Sequence, residues 1–354
     1  MTCLLVGCKQ PQPIVKPATA TAPVPAALTR FEYSQIYMGV RTRLIVYASD
    51  ETAAVNACRA AFKRVGAVEQ AASDYLKTSE LNKLCATAAT RPVTLSDDLL
   101  TLLVESQTLA ERSDGAFDIT VGPYVRLWRV ARKEKKLPAP EALAAASKLV
   151  GWRKLTVDPQ TRTARLAVPG MQLDMGGIAK GYAGDCAIQT LREQGINSAL
   201  FEAGGDIVLS DAPPGEEGWN IELADAGPDM PKSLRLHNCA VSTSGDTMQF
   251  VEIDGKRYSH VVDPRTGIGL TTRAMATVVA PKGIWSDALS KPAEMLPKEQ
   301  VDALLSQYPG TKAYTRILHG AGRWREVIRS VAQWQVSRVQ ITDSVGSTSR
   351  SSSM

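Results

Sequence analysis

The sequence predicts an α+β fold, because its strands occur in runs and do not alternate regularly with helices as in a doubly wound parallel sheet. Strand patterns recur after residue 197 with few helices between them: 198–209, 219–223, 240–244, 249–253, 274–280 and 312–318. The chain has 354 residues, of which 44% are hydrophobic, enough for a sizeable core. Neither an internal repeat nor a linker-like composition interrupts residues 31–330, so we expect one folded domain there.

The earlier part of the chain supplies most of the helices. Residues 38–48 alternate apolar with charged or mixed side chains, which predicts a half-buried strand, and residues 155–168 predict a hairpin that turns at 158–161. Apolar residues at helical spacing, with candidate caps, predict the helices: 51–72, one starting near Thr78 or Ser79, one from the N-cap Ser96 to near Gly115, one ending near Gly195, 284–296 and 299–307.

The charge and cysteine patterns argue against several classes of protein. The net charge is +5, but Lys and Arg are dispersed, so no basic stripe indicates nucleic-acid binding. The six cysteines show neither CxxC pairing nor metal-ligand spacing, and four of them are interpreted as small core residues. The sequence has no apolar run of the length needed to span a membrane.

The N-terminal residues resemble a bacterial lipobox, Leu5-Val6-Gly7-Cys8, and a spacer rich in Pro and Ala follows at residues 10–27. We therefore expect a periplasmic lipoprotein, lipidated at Cys8 and held at the inner membrane. A charged n-region and most of an apolar h-region are missing, so either the true start lies upstream of Met1 or the match is chance. We therefore expect residues 1–30 to be a truncated signal with a linker, and residues 331–354 to be a disordered Ser-rich tail.

The segment Leu173–Asp185 combines an acidic residue, the glycine pair Gly176–Gly177 and a helical pattern. Glycines ahead of a helix let backbone N–H groups approach a phosphate, and Lys180 could add a positive charge. The alternative is a strand-to-helix corner with a surface lysine.

Four further segments bring carboxylates, hydroxyls and a histidine next to glycine-rich turns: Gly115–Pro123, Glu202–Ile207, Ser242–Asp246 and His260–Gly267. Each is a common kind of turn by itself. Together they suit the handling of phosphate and metal.

In this combination the chain resembles the FAD:protein FMN transferase (ApbE-like) family. Family motifs stand intact and in order: D-x-G-G-I-A-K-G at Asp174–Gly181, G-G-D at Gly204–Asp206, T-S-G-D at Thr243–Asp246 and H-x-x-D-P-x-T-G at His260–Gly267. The resemblance covers residues 31–318. It implies a T-fold-like α+β domain with mixed or antiparallel sheets, flanking helices and FAD bound in a cleft.

The resemblance also implies roles for individual residues. FAD would be met by a set drawn from several segments: Met38, Tyr75, Ala116, Phe117, Asp118, Asp174, Lys180, Val261 and Val262. Mg²⁺ would be held by the carbonyl of Gly177 and the side chain of Asp287. For Met38 and Tyr75 the alternative is plain core packing, and for Asp118 and Asp174 it is capping of backbone N–H groups.

The reaction implied is attack by a Thr or Ser hydroxyl of a membrane-associated redox subunit on the FMN-side phosphorus of FAD, with AMP leaving. Lys180 would neutralise charge, and His260, in a motif with Asp263, would accept the hydroxyl proton. Alternatively, His260 only orients the turn at Asp263.

One family motif, A-D-A-L-S-T, is altered, because Lys291 stands where the family has a threonine that helps to hold the metal. Three outcomes are open: Ser290 takes the ligand position, Lys291 partly replaces the cation, or metal binding is weak and FAD is bound without turnover. Pro292 is expected to disfavour helix at Lys291. The alternative functions are a metal-dependent FAD pyrophosphatase and a non-catalytic FAD-binding lipoprotein.

Overall fold

The computed structural model describes residues 27–223, 227, 228, 230–245, 250–319 and 323–330. Cys8 with its Pro-rich spacer, Asp246 and residues 331–354 lie outside the described residues, so what the sequence predicts for them stays a prediction.

Within these ranges, eight α-helices and seventeen strands form. The helices are α1 (Glu51–Ala72), α2 (Glu80–Thr87), α3 (Asp97–Arg112), α4 (Gly122–Glu134), α5 (Pro140–Ser147), α6 (Ala179–Glu193), α7 (Gly283–Met295) and α8 (Lys298–Leu305). The strands are β1 (Thr29–Tyr37), β2 (Val40–Ala48), β3 (Val93–Thr94), β4 (Leu155–Asp158), β5 (Thr163–Leu166), β6 (Ala199–Ala203), β7 (Asp206–Leu209), β8 (Trp219–Glu222), β9 (Ser233–Leu236), β10 (Cys239–Gly245), β11 (Phe250–Ile253), β12 (Lys256–Ser259), β13 (Val262–Asp263), β14 (Ile268–Gly269), β15 (Ala274–Ala280), β16 (Lys312–His319) and β17 (Arg323–Ser330).

The central element is an eight-stranded sheet in the order β1-β2-β6-β7-β10-β15-β16-β17, in which every neighbouring pair is antiparallel. Smaller antiparallel pairings flank it: β3-β5-β4, β8-β9, β11-β12 and β13-β14. The predicted α+β class is confirmed.

The two faces of the central sheet are covered differently. Leu44 and Val46 of β2 point to a core shared with α1 and α6, while Ile45, on the other face, packs with Trp219 of the β8-β9 hairpin. This alternation is the period of two expected for a strand that is buried on both faces. A further core joins α2, α3, α7 and α8 beside β15.

Local sequence determines where several helices begin. Asp50, Ser79 and Ser96 each accept a hydrogen bond from a backbone N–H of the following first turn, as N-caps do. The helix predicted at residues 51–72 is confirmed, as are the start at Ser79 and the cap at Ser96.

Other elements correct the sequence-based prediction. Residues 198–209 form the two strands β6 and β7, because Gly204 and Gly205 adopt positive φ angles of 58° and 93° and turn the chain. Gly122-Pro123, at the end of a segment expected to form a glycine-rich turn, instead begins α4, since a proline in the first turn needs no N–H partner. The elements that were not predicted are α4, α5, β1, β3, β9, β12, β13, β14 and β17.

Pro292 lies inside α7 and does not end it, so the helix predicted at residues 284–296 forms although proline was expected to disfavour helix at Lys291. The helix continues to Met295, and Leu296 N–H donates to the Pro292 carbonyl at 2.9 Å. The buried side chains of Leu289 and Ala293 hold this face of the helix in the core, which outweighs the N–H that proline lacks.

Among the helices just described, none combines the length and apolar character that crossing a bilayer requires.

Candidate active site

The turn before α6 is held by its own backbone and by Asp174. Asp174 Oδ1 accepts from Gly176 N–H at 2.8 Å, and the Met175 carbonyl accepts from the N–H groups of Ile178 and Ala179. Gly181 N–H donates to Asp287 Oδ2 at 3.1 Å. These N–H groups at the helix start therefore already have protein acceptors, so side chains must supply positive charge for a phosphate.

Lys180 is one such side chain. Its Nζ lies 2.9 Å from Asp206 Oδ2 and 3.5 Å from Asp287 Oδ2, and it donates to the Gly176 carbonyl at 3.1 Å. The side chain keeps 19% of its surface exposed, so part of it borders solvent. The interpretation of Lys180 as an ordinary surface lysine is wrong, because it is the centre of a partly buried ion cluster.

The electrostatics of this cluster follow from burial and mutual attraction. Burial alone would lower the pKa of the Lys180 ammonium, but Asp206 and Asp287 outweigh it and raise that pKa. Burial also favours a higher pKa for Asp287, yet Lys180 and Lys291 together hold it below its usual value. Burial and the neighbouring Asp287 raise the pKa of Asp206. Lys180 is thus a fixed cation, and Asp287 is a fixed anion.

Close contact between α6 and α7 brings Asp287 to this position. A Cβ on Gly181 would overlap the Gly283 carbonyl and approach Asp287 Cβ to 2.8 Å, so only glycine allows the two helices to meet. Asp185, one turn further along α6, accepts from Gly283 N–H at 2.6 Å and Ile284 N–H at 2.9 Å. α6 therefore both caps α7 and positions it.

Lys291 completes the cluster from the next turn of α7. Its Nζ donates to the side chain of Asp287 and, at 3.0 Å, to the Asp287 carbonyl. Its Cε would be 3.3 Å from a Cβ on Gly177, so the lysine stem covers that glycine. Ser290 Oγ donates to the Asp287 carbonyl at 2.7 Å.

The residue set expected to hold Mg²⁺ was Gly177, Asp287 and Ser290, and these residues do not fit it. Both carboxylate oxygens of Asp287 already face N–H donors, two of them ammonium groups, and Lys291 stands beside both Asp287 and Gly177. A divalent cation at this place would be repelled by the two ammonium groups. In the described part of the chain there is also no group of three or more His, Cys, Asp or Glu side chains placed to hold a metal.

The segment Ala116–Asp118 lies against the same turn. Ala116 and Phe117 are buried, and Phe117 Cε2 would be 3.4 Å from a Cβ on Gly177. Asp118 Oδ1 accepts from Thr120 N–H and Thr120 Oγ, both at 2.7 Å. The capping interpretation of Asp118 accounts for this oxygen, and burial raises the pKa of Asp118.

On the other side of the turn, Asp174 is joined to Tyr75 through Arg129 of α4. Arg129 donates to Asp74 at 2.6 Å and to Asp174 at 3.2 Å, and its guanidinium lies 4.2 Å from the centre of the Tyr75 ring. The Tyr75 side chain is 72% exposed, so core packing does not explain it. Burial and the Asp74 carboxylate raise the pKa of Asp174.

Met38 stands in the β1-β2 turn with a φ of 52°, and its N–H donates to Glu69 Oε1 of α1 at 2.7 Å. Its partly buried side chain packs against two of the core clusters, which the packing alternative also describes. Its contact with FAD stays a prediction.

The His260–Gly267 segment links β12 to β14. His260 is half-buried, Val261 and Val262 are buried, and Leu270 N–H donates to the Val261 carbonyl at 2.9 Å. Asp263 accepts from Arg265 N–H and pairs with the Arg265 guanidinium at 2.9 Å, so it shapes the turn. The catalytic roles of His260 and Asp263 stay predictions.

Two residues of the candidate site, Asp206 and Arg129, were not assigned a function from the sequence. Asp206 stands in the Gly204–Asp206 motif, and that motif was the available signal for it. Arg129 lies in a helix that was not predicted, and its partners are 45 and 55 residues away along the chain. No local pattern points to Arg129.

A separate open cavity of about 490 Å³ lies on the opposite face of the central sheet, beside the β8-β9 hairpin. Arg43, Trp219 and Arg235 are among its lining residues. It shares no residue with the cluster around Lys180.

Comparison with known proteins indicates which family the chain belongs to. The ApbE family model matches residues 38–315. Among curated relatives, the FAD:protein FMN transferase of Treponema pallidum is 32% identical over 81% of this chain and 84% of its own, and one from Klebsiella pneumoniae is 28% identical over 86% and 89%.

Solved structures agree as well. The flavin transferase ApbE of Vibrio cholerae has a TM-score of 0.75 and 26% identity, covering 86% of this chain and 98% of its own. The apo flavinyl transferase ApbE of Pseudomonas stutzeri has a TM-score of 0.75 and 27% identity, covering 86% and 95%. The chain therefore belongs to the ApbE family of enzymes.

Proposed function

We propose that this protein transfers FMN from FAD to a Thr or Ser hydroxyl of a target redox protein and releases AMP. The observation that carries the proposal is Lys180, a partly exposed lysine whose ammonium lies between two buried carboxylates. A cation fixed in this way can meet a pyrophosphate without having to be ordered first. The names of the curated relatives support the choice of FAD and of a protein acceptor.

The reaction requires the protein to position the reactants and to neutralise charge. The acceptor oxygen forms a bond to the FMN-side phosphorus, the bond from that phosphorus to the bridging oxygen breaks, and AMP leaves with the electron pair. Lys180 neutralises charge at the pyrophosphate as it develops on the leaving oxygen. Phe117, which lies next to Gly177, and Tyr75, which lies beside Arg129, would offer apolar and stacking contacts to the flavin and adenine rings.

The hydroxyl proton needs an acceptor, and His260 is the proposed one. An imidazole can take up and release a proton close to neutral pH, which suits this role. Asp263, bonded to Arg265 in the following turn, would fix the chain that carries His260.

The family resemblance implies a dependence on Mg²⁺, whereas the reaction proposed for this protein includes no step at a metal. Asp287, its expected ligand, is engaged by Lys180 and Lys291. The charge that the reaction needs is therefore assigned to side chains.

The test is a flavinylation assay with purified full-length protein, FAD and an acceptor protein that carries the target threonine. We expect covalent, fluorescent flavin on the acceptor band of a denaturing gel, together with one AMP per flavin attached. AMP with free FMN would indicate a pyrophosphatase. FAD that stays bound and intact would indicate a binding protein. Either result would overturn the transferase proposal.

We further propose that the protein works in the periplasm as an inner-membrane lipoprotein, attached through Cys8, on membrane-associated redox subunits. The lipobox-like Leu5–Cys8 and the Pro/Ala-rich spacer after it support this. Mass spectrometry of the N-terminus of membrane-extracted protein should find a diacylglyceryl group on Cys8. A protein without lipid, recovered in the soluble fraction, would contradict the proposal.

A further inference from the structure

Lys291 and Asp287 form an ion pair one helical turn apart in the interior of the protein. The Asp287 side chain is 0% exposed and that of Lys291 is 19% exposed. The same spacing occurs on α8, where Lys298 pairs with Asp302, but there the side chains are 47% and 38% exposed. Exposed pairs of this kind contribute little to stability.

Because Asp287 is buried, the energetics of the Lys291–Asp287 pair differ from those of the exposed Lys298–Asp302 pair. Removing an ammonium and a carboxylate from water is costly, and their attraction repays that cost only when geometry and further hydrogen bonds are favourable. Lys291 has such a second bond, to the Asp287 carbonyl at 3.0 Å. A hydrophobic pair would fill this space at lower cost, so the stability of the helix does not by itself account for the lysine.

The place of Lys291 indicates a function. Its ammonium lies on Asp287 and its stem lies against Gly177, which are the two positions expected to bind the metal. Asp287 also faces Lys180, which itself contacts Asp206. Two ammonium groups and two carboxylates thus form one connected set, and each of the two lysine side chains is 19% exposed.

We propose that the Lys291 ammonium takes the place of a divalent cation in this chain, so that FAD binds through Lys180 and Lys291 without metal. The inference rests on the proposed function, because it concerns how the same site meets the pyrophosphate of FAD. An ammonium has three N–H donors and carries its charge on a flexible stem. Two of the donors of Lys291 are bonded to Asp287, so one remains for a phosphate oxygen. Asp287 then acts as the counter-ion that holds Lys291 beside the turn.

The first test uses the wild-type full chain and measures FAD binding by equilibrium dialysis, after metal removal with EDTA and again with added Mg²⁺. The dissociation constant is expected to change by less than about threefold, because the charge is part of the chain. Binding that falls tenfold or more in EDTA and returns with Mg²⁺ would overturn the proposal. This arm needs no variant, so it decides the question whatever the variants do.

The second test compares Lys291→Thr with Lys298→Thr, which removes the matched Lys–Asp pair on α8. In EDTA, Lys291→Thr should bind FAD about ten- to a hundredfold more weakly than wild type, as expected for losing a charged hydrogen bond, and Mg²⁺ should recover most of the loss. Lys298→Thr should bind like wild type in both conditions. A Lys291→Thr protein that binds FAD equally in EDTA would contradict the inference.

A metal readout that is independent of FAD completes the test. Mn²⁺, which prefers the same oxygen ligands as Mg²⁺, can be titrated by electron paramagnetic resonance. Lys291→Thr should gain one tight site that the wild type lacks, and a tight site in the wild type would overturn the proposal. If the wild type failed to bind FAD with or without Mg²⁺, the proposed function itself would fail. FAD binding that required Mg²⁺ would contradict only the proposed role of Lys291 and would leave the proposed function standing.

Discussion

Two interpretations of Asp118, capping of the turn and direct contact with FAD, predict different effects of mutation. Its Oδ1 accepts from the N–H and the hydroxyl of Thr120, and the carboxyl is buried. Asp118→Ala should lower the free energy of unfolding by about 1–3 kcal/mol, because two buried donors lose their acceptor. Urea denaturation followed by circular dichroism measures this loss.

Asp118→Asn is the matched control, because its amide oxygen can still accept from Thr120. If Asp118 only caps the turn, the Asn variant should keep FAD affinity and most of the stability. A stable Asn variant that binds FAD much more weakly would instead support the direct contact with FAD implied by the family resemblance.

Arg129 is the residue that connects the turn at Asp174 to the exposed ring of Tyr75. Arg129→Gln should lower the free energy of unfolding by about 1–3 kcal/mol, because Asp74 and Asp174 would face each other without a shared cation. It should also weaken FAD binding, because the Tyr75 ring loses its stacking partner. Denaturation and FAD dialysis of the same preparation separate the two effects.

Arg126→Gln provides the comparison, since Arg126 lies on the same helix with an exposed side chain. It should leave stability and FAD affinity near the wild-type values. Equal behaviour of the two variants would show that Arg129 has no special place in the site.

The residues of the site differ in how visible they are in the sequence. Asp174, Gly177 and Lys180 stand in one short motif, so a local pattern identifies them. Lys291 was recognised as a departure from a motif, but its bond to Asp287 needed the structure. Arg129 could not be found, because its function arises from partners distant in sequence that only folding brings together.

At the scale of elements, the contact between α6 and α7 makes stability depend on pH. Asp185 caps the first turn of α7, and burial raises its pKa to about 6. In the unfolded chain the value is about 3.9, so between these values the folded state binds the proton more strongly. The stabilisation is complete below about pH 4 and is lost as the pH rises through about 6.

Asp185→Asn removes this titration. Relative to the variant, the wild type should lose up to about 3 kcal/mol of unfolding free energy between pH 4 and pH 7. Urea denaturation at several pH values measures the difference, with Asp114→Asn as the control because that side chain is exposed. Wild-type and Asp185→Asn curves that run parallel would rule out this role for Asp185.

Elements with a strong local pattern were predicted well. α1 combines an N-cap at Asp50 with an apolar face sustained over six turns, and its bounds match. Residues 198–209 were predicted as one strand, although the glycine pair Gly204-Gly205 in the middle of this range marks the turn between β6 and β7. Pro292 does not interrupt the helix predicted at residues 284–296, because the core holds the residues on both sides of it, which local propensity at Lys291 does not include.

At the scale of the whole molecule, the order of the strands could not be predicted. β2 pairs with β6, more than 150 residues later, and β7 pairs with β10 across the β8-β9 hairpin. Periodicity shows which face of a strand is buried but not which strand lies beside it. The α+β class followed from the sequence, whereas the eight-stranded sheet that positions Asp206 next to α7 did not.

The position of β17 indicates where the folded domain ends. β17 pairs along all eight residues with β16 and brings Arg329 to within 3.7 Å of Asp302 on α8.

A chain of residues 1–330 should keep the unfolding free energy and the FAD affinity of the full chain. A chain of residues 1–319 should lose roughly 3 kcal/mol or more of stability, because β16 becomes an unpaired edge. The residues around Lys180 lie in other elements, so FAD affinity of the folded fraction should be unchanged. Denaturation and FAD dialysis of the two truncations measure both quantities, and a 1–330 chain less stable than the full chain would move the domain boundary beyond residue 330.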